Sequence, residues 1–319
     1  MKMGKKAFSY LLSLSLIVGT LSGLLPGTAM KVYADGINTL SDLQTALDEA
    51  DSNTEIIVSG VIDLPSGTNL DGHGATVRVE TPYVDANGLF ADNPTSSGVF
   101  RVKASNVVKI SNMTIMGGKG DAAINNDGCL TLTNVTLMRS NRGLKNSSGS
   151  TILKDCAIVR NSADYGGGLL NSSGKVVMDS CSFSENIGVS TRDWGGGGAA
   201  ENNGSMYLNN TVMSNNINDE CGAAINNYRG KLYIMNSTIT GNTAIGNYNT
   251  GALRQSSVYI VNSIITDNIH NQGMGTNVIS SDVNDGGNLY YSVVGQHSNS
   301  TNITKCITGD VTGKNVFAS

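Results

Sequence analysis

Seven times between residues 112 and 265 the chain returns to one four-residue pattern: Asn or a close substitute, any residue, a small residue, then an apolar one. The copies are NMTI at 112, NVTL at 134, DCAI at 155, SCSF at 180, NTVM at 210, NSTI at 236 and NSII at 262, spaced 22, 21, 25, 30, 26 and 26 residues apart. A repeat of this period is one supersecondary unit that buries its apolar face only by stacking on copies of itself. A second Asn follows six residues after most of these starts, at Asn161, Asn186, Asn216, Asn242 and Asn268, with Asn141 displaced by one. A third amide opens each unit, read as Asn125, Asn146, Asn171, Asn202, Asn226 and Gln255.

Around the first Asn the apolar residues alternate. Leu130 and Leu132, Val176 and Met178, and Val258 and Ile260 sit four and two residues before it, whereas Val135 and Leu137, or Cys181 and Phe183, sit one and three after it. Alternation with period two marks a strand with one buried face. The step across the Asn is three, which would turn every later side chain outward if the strand ran straight, so the Asn occupies a bend. Strand, bend, strand, loop and a third short strand per unit describe a parallel β-helix. Its equivalent residues stack about 4.8 Å apart, so Asn134, Asn171, Asn202, Asn226, Asn236 and Asn262 are read as rungs of structural amide ladders. The glycosylation-like triplets at Asn112 and Asn236 are by-products of those ladders.

Composition fits this fold and excludes others. Only 14% of the 319 residues are charged, against 39 Gly and 37 Asn. Long amphipathic helices need more Ala, Leu, Glu and Lys than this, and 39% hydrophobic residues with a small net charge argue against disorder. A stacked charged column would repel itself, whereas an amide column bonds to itself.

The plan along the chain has four parts. Residues 1–34 read as a signal peptide, with Lys2, Lys5 and Lys6 ahead of an apolar stretch and Val32-Tyr33-Ala34 as a cleavage site. Its removal would shift the formal balance from 21 − 25 = −4 to 17 − 25 = −8, an acidic chain ill suited to nucleic acid. No other stretch is long and apolar enough to span a bilayer. Residues 35–97 hold a capping helix over 40–50, with Ser41 and Gln44 as its capping box, and irregular first coils. Residues 98–277 hold the regular coils. In residues 278–319 the pattern decays, as a truncated or otherwise covered last coil would.

The runs GGGLLNSSG at 166–174, GGGGAAENNG at 195–204 and GAAINNYRG at 222–230 resemble the GGGxxN repeats of exported bacterial right-handed β-helix proteins. They are similar to polymorphic outer membrane protein repeats and to cell-surface proteins of the choice-of-anchor type, within the broader pectate-lyase-like superfamily. The resemblance implies an all-β, right-handed parallel β-helix, export, and a position at the cell surface. It leaves activity open, because the superfamily includes lyases, glycosidases and adhesins. Its polysaccharide lyases and hydrolases work in a groove on one outer face with acids, Arg, Lys or bound calcium.

The residues offer two candidate regions. The position before each opening amide reads Ile124, Lys145, Leu170, Glu201, Ile225 and Arg254; Lys145, Glu201, Arg254 and the nearby Arg229 are the candidate catalytic groups. The loops supply Asp164, Tyr165, Arg192, Asp193, Trp194 and Tyr248 as candidate ligand-binding residues, since an aromatic ring flanked by charge suits a sugar. His73, His270 and His297 are isolated, so no metal site is expected. The segment DVNDGGN at 282–288 has only a faint calcium-loop character, and no cofactor is expected. Five cysteines leave at least one unpaired in a single chain. Cys156 and Cys181 share an inward column within disulfide reach, but that column otherwise holds small residues, which favours buried thiols. The first functional expectation is a secreted or cell-surface scaffold binding a polysaccharide or envelope glycan without catalysis. The alternative is a carbohydrate-active enzyme of the polysaccharide lyase type.

Overall fold

The structure, a computed structural model, describes residues 31–85, 89–120, 122–189, 196–220, 222–246 and 252–270, and beyond them the segments 277–281, 288–290, 293–294, 296–297, 302–304 and 307–308. It is an all-β parallel β-helix. A regular coil has four strand segments, for example Leu144–Asn146, Ser150–Lys154, Ala157–Val159 and Ser162–Ala163. The next coil repeats them as Leu169–Asn171, Lys175–Asp179, Ser182–Ser184 and Ile187–Gly188, each paired in parallel with its predecessor. The first three segments belong to a 28-stranded sheet, and the fourth builds a separate five-stranded one. This closing pair of residues is one segment more per coil than the alternation indicated.

The bends sit where the three-residue step required them. Asn112, Asn134, Asp155, Ser180, Asn210, Asn236 and Asn262 have φ between 48° and 55°, a left-handed conformation that Asn and Asp tolerate better than most residues. The residue after the bend points inward and secures it. Thr211 Oγ1 donates to Asn209 O at 3.0 Å, Ser237 Oγ to Met235 O at 2.6 Å and Ser263 Oγ to Val261 O at 2.8 Å. Beneath the bends lie fully buried apolar columns, Leu153, Met178, Leu208 and Ile234 on one side and Ile158, Phe183, Met213 and Ile239 on the other. Burying each such side chain contributes roughly 1.5–3 kcal/mol.

Two buried amide ladders flank this core. In the first, Asn126 Nδ2 donates to Asn146 Oδ1, Asn146 to Asn171, Asn171 to Asn202 and Asn202 to Asn227, at 2.7–2.9 Å. The second runs from Asn161 through Asn186, Asn216 and Asn242 to Asn268 at 2.8–3.0 Å. Ser140, not Asn141, precedes Asn161 in it, its N–H bonded to Asn161 Oδ1. A third, exposed set of amide bonds runs along the bends: Asn134 donates to Asn112, Asn262 to Asn236, and Asn236 to Asn209, the residue before the bend at Asn210. On the outer face Tyr207, Tyr233 and Tyr259 stack with centroids 4.7 and 5.0 Å apart and rings within 7° of parallel.

The helix α1 spans Leu40–Asp48 and buries Leu43, Ala46 and Leu47 against the first coils. Its N-cap is Thr39, whose hydroxyl accepts from the Asp42 N–H, so the cap begins two residues before the Ser41 and Gln44 pair expected for it. A strand over Lys31–Ile37 pairs with Thr54–Val58 in the register Val32 to Glu55. The expected cleavage site after Ala34 falls within this strand, at the register shift between Tyr33 and Ile37. Among the described residues no helix is long and apolar enough to cross a membrane.

Candidate functional site

The opening strands place one row of side chains on the outer face of the solenoid. Residue-by-residue pairing puts Asp63 beside Arg101, then Asn125, Lys145, Leu170, Glu201, Asn226 and Arg254. This corrects the expected row at two places. Ile124 and Ile225 point inward and are fully buried, in register with Leu144, Leu169 and Leu253. Asn226 accordingly leaves the amide ladder, where Asn227 takes its place, and joins the outer row. In both Ile-Asn-Asn runs an apolar residue must enter the core, which moves the ladder to the second Asn.

Glu201 is the chemical centre of the row. It is 6% exposed. Asn203 Nδ2 donates to its Oε1 at 3.1 Å, while its Oε2 has no hydrogen-bond partner. Burial pushes the carboxyl above the usual carboxylate range; the bond from Asn203, the Gly196 backbone, the charge of Arg142 and the neighbouring Asn226 amide, which lies close without a well-formed hydrogen bond, oppose this without cancelling it. One rung on, Asn226 is 1% exposed, and both its Oδ1 and Nδ2 lack a partner. Three buried polar atoms on adjacent rungs are thus unsatisfied, each at a cost of about 1–3 kcal/mol.

The surroundings are cationic and aromatic. Arg254, 8% exposed, carries its guanidinium 5.5 Å from the centre of the Tyr228 ring, and Arg229 stands 4.9 Å from the same ring. Tyr228 itself is 43% exposed. Arg142, in the turn before Lys145, is 5% exposed and clasps the loop of the following coil. Its Nε and Nη2 donate to Tyr165 O at 3.0 and 2.8 Å, and Nη2 reaches Asp164 Oδ1 at 3.1 Å. The far end of the row is neutralised by Asp63, held down to a pKa of about 2 by hydrogen bonds from Arg101 and Lys103.

The loop approach depends on glycine. Gly166 has φ +59°, and a β-carbon there would run into Leu169 O and the Glu201 N–H of the next coil. Gly197 repeats the position with φ +87°. The GGGxxN runs are therefore the places where a loop lies directly on its neighbour's backbone.

No known protein family, characterised protein or solved structure matches this chain. The chemistry of the row rests on its own residues.

Of the candidate residues, the structure places Lys145, Glu201 and Arg254 in one row, each two rungs from the next, or about 10 Å at the strand spacing. Arg229 lies off the row, against Tyr228. Asp164 and Tyr165 sit in one loop, bound to Arg142. Arg192, Asp193, Trp194, Tyr248 and most of the 282–288 segment lie outside the described residues. Asn226 was read from sequence as a ladder amide and not as part of the site, and Arg142 and Tyr228 were not singled out. The first had a readable signal, an apolar residue two positions before every ladder amide. Among the described residues no group of three or more His, Cys, Asp or Glu could hold a metal ion.

Proposed function

We propose that this chain is an exported or cell-surface β-helix binding module that takes a glycan along the outer row of its opening strands. The observation that supports it is the unsatisfied set on adjacent rungs, Glu201 Oε2 with Asn226 Oδ1 and Nδ2. Buried polar groups in a folded protein almost always have partners. Two acceptors and a donor gathered on adjacent rungs just beneath the surface match in kind the hydroxyl and amide groups of a sugar, and the exposed Tyr228 ring with Arg254 beside it adds a face that carries both an apolar ring and charge. The lysine-rich, then apolar N-terminus and the acidic remainder support export. Binding is favoured over catalysis because Glu201 stands two rungs from both Lys145 and Arg254, too far for direct proton relay.

The test is titration of the purified protein with acidic, neutral and N-acetylated polysaccharides, using Asn226→Leu and Glu201→Gln beside the wild type. Wild-type binding that weakens at least tenfold in Asn226→Leu, with thermal stability kept or raised, supports the reading. Equal binding by all three proteins, or no binding to any polysaccharide, overturns it. Release of unsaturated uronate product, seen by its ultraviolet absorbance, would replace it with a lyase.

A further inference from the structure

The inward column after the bends reads Met113, Val135, Cys156, Cys181, Thr211, Ser237 and Ser263. Its two thiols occupy consecutive coils, and nothing in the glycan-binding reading uses them. Ala157 pairs with Ser182, the residues immediately following, and the Ser182 N–H donates to Cys156 O at 2.9 Å. Cys156 and Cys181 are therefore directly opposed across one rung. At the strand spacing of about 4.8 Å their Cα atoms fall inside the range a disulfide spans. The two thiols lie within hydrogen-bonding reach of each other. Each is 3% exposed. Both act as the hydroxyls of Thr211 and Ser237 do: Cys156 Sγ donates to Lys154 O at 3.2 Å, and Cys181 Sγ to Asp179 O at 3.4 Å and Leu153 O at 3.6 Å. Serine would fill the same role, and a thiol donates more weakly. What cysteine adds at two opposed positions is the capacity to join.

We propose that Cys156 and Cys181 form an inter-rung disulfide when the chain meets a disulfide oxidant, converting two stacked thiols into a covalent clip between neighbouring coils. The exchange balances with a small-molecule disulfide as oxidant. The Cys156 thiolate attacks one sulfur and releases one molecule of thiol. The Cys181 thiolate then attacks the mixed disulfide at Cys156 and releases the second, so two electrons and two protons leave with the reduced thiols. Because both sulfurs are buried, the bond forms most readily while the coils close during folding. Only two thiol donors to carbonyls are lost, and the clip ties the ends of a segment whose closure the unfolded chain would otherwise be free to lose.

The experiment uses the purified protein in two arms. In one, the folded protein is incubated with oxidised glutathione. In the other, it is denatured, reduced, and refolded in a mixture of oxidised and reduced glutathione. Free thiols are then alkylated under denaturing conditions, and unreduced peptides are mapped by mass spectrometry. The expected result in the refolding arm is a peptide pair joined through Cys156 and Cys181 and lighter by two hydrogens, with Cys129 alkylated. The oxidised protein then melts several degrees above its reduced form. A Cys156→Ser/Cys181→Ser variant, whose serines match Ser237, folds and melts alike with or without reductant. Full alkylation of Cys156 and Cys181 in both arms, or their pairing with other cysteines, overturns the proposal. So does a melting shift on reduction that persists in the double variant.

Discussion

Asn216 sits mid-ladder, and replacing it by the isosteric Asp changes one NH₂ to oxygen and nothing in shape. Its Nδ2 donates to Phe183 O at 3.0 Å, Ser214 O at 3.1 Å and Asn242 Oδ1 at 2.9 Å. Its Oδ1 accepts from the N–H and Nδ2 of Asn186, both at 3.0 Å. In Asn216→Asp the accepting side survives while the new oxygen faces three others. Protonated, it keeps one donor of two and loses about 1 kcal/mol. Ionised, it is a buried carboxylate against oxygen lone pairs. If those raise its folded pKa by about 3 units above the unfolded value near 3.9, the further cost is about 4 kcal/mol. A raised folded pKa means the penalty is absent below the unfolded pKa and grows as pH climbs to the folded one. Relative to wild type, Asn216→Asp loses about 1 kcal/mol at pH 3 and about 5 kcal/mol at pH 8. The assay is urea unfolding at both pH values, followed by circular dichroism. Because stacked repeats need not unfold in one step, hydrogen exchange of the Asn186 amide supplies the local readout. A loss at pH 8 within 1 kcal/mol of that at pH 3 would refute the hydrogen-bond account and leave simple packing in its place.

Three further outcomes follow from the same geometry. Since burial raises the Glu201 pKa in the folded state, ionisation above about pH 4 costs stability; Glu201→Gln should match wild type in melting temperature at pH 4 and exceed it at pH 8. Tyr233 stacks on both Tyr207 and Tyr259, so Tyr233→Ala should cost roughly 1–3 kcal/mol at 0.5–1.5 per pair, whereas Tyr233→Phe, keeping the ring, should stay within about 0.5 kcal/mol in chemical denaturation. Gly166→Ala should lose about 3 kcal/mol or more, from a positive φ and a backbone collision. Gly60, whose β-carbon would meet nothing within 4 Å, should accept Ala with little change, which side-by-side thermal melts will check.

The solenoid was readable because its constraints are periodic. A bend at Asn134 or Asn236 had to exist once the apolar step became three, and the two amide columns followed from stacking. What periodicity could not settle was a choice between neighbours of the same type. Asn125 and Asn126, or Asn226 and Asn227, are chemically identical, and only core entry by Ile124 and Ile225 decides between them. That one-residue choice moved Asn226 from structural ladder to outer row and changed the content of the candidate site. Arg142 was missed for a different reason. It stands where the next coils carry Gly167, Gly198 and Ala223, so its role depends on a loop one coil ahead, a contact no local pattern encodes.

The buried ladders have a direction. Each Asn-to-Asn bond in them runs from the lower-numbered coil to the higher, while those of the exposed bend ladder run the other way. Along these buried ladders an interior coil therefore presents amide N–H groups to the coil after it and amide oxygens to the coil before it. A coil turned over within the stack would set donor against donor on one side and acceptor against acceptor on the other. At the first coils the covering is apolar instead, α1 burying Leu43, Ala46 and Leu47 there.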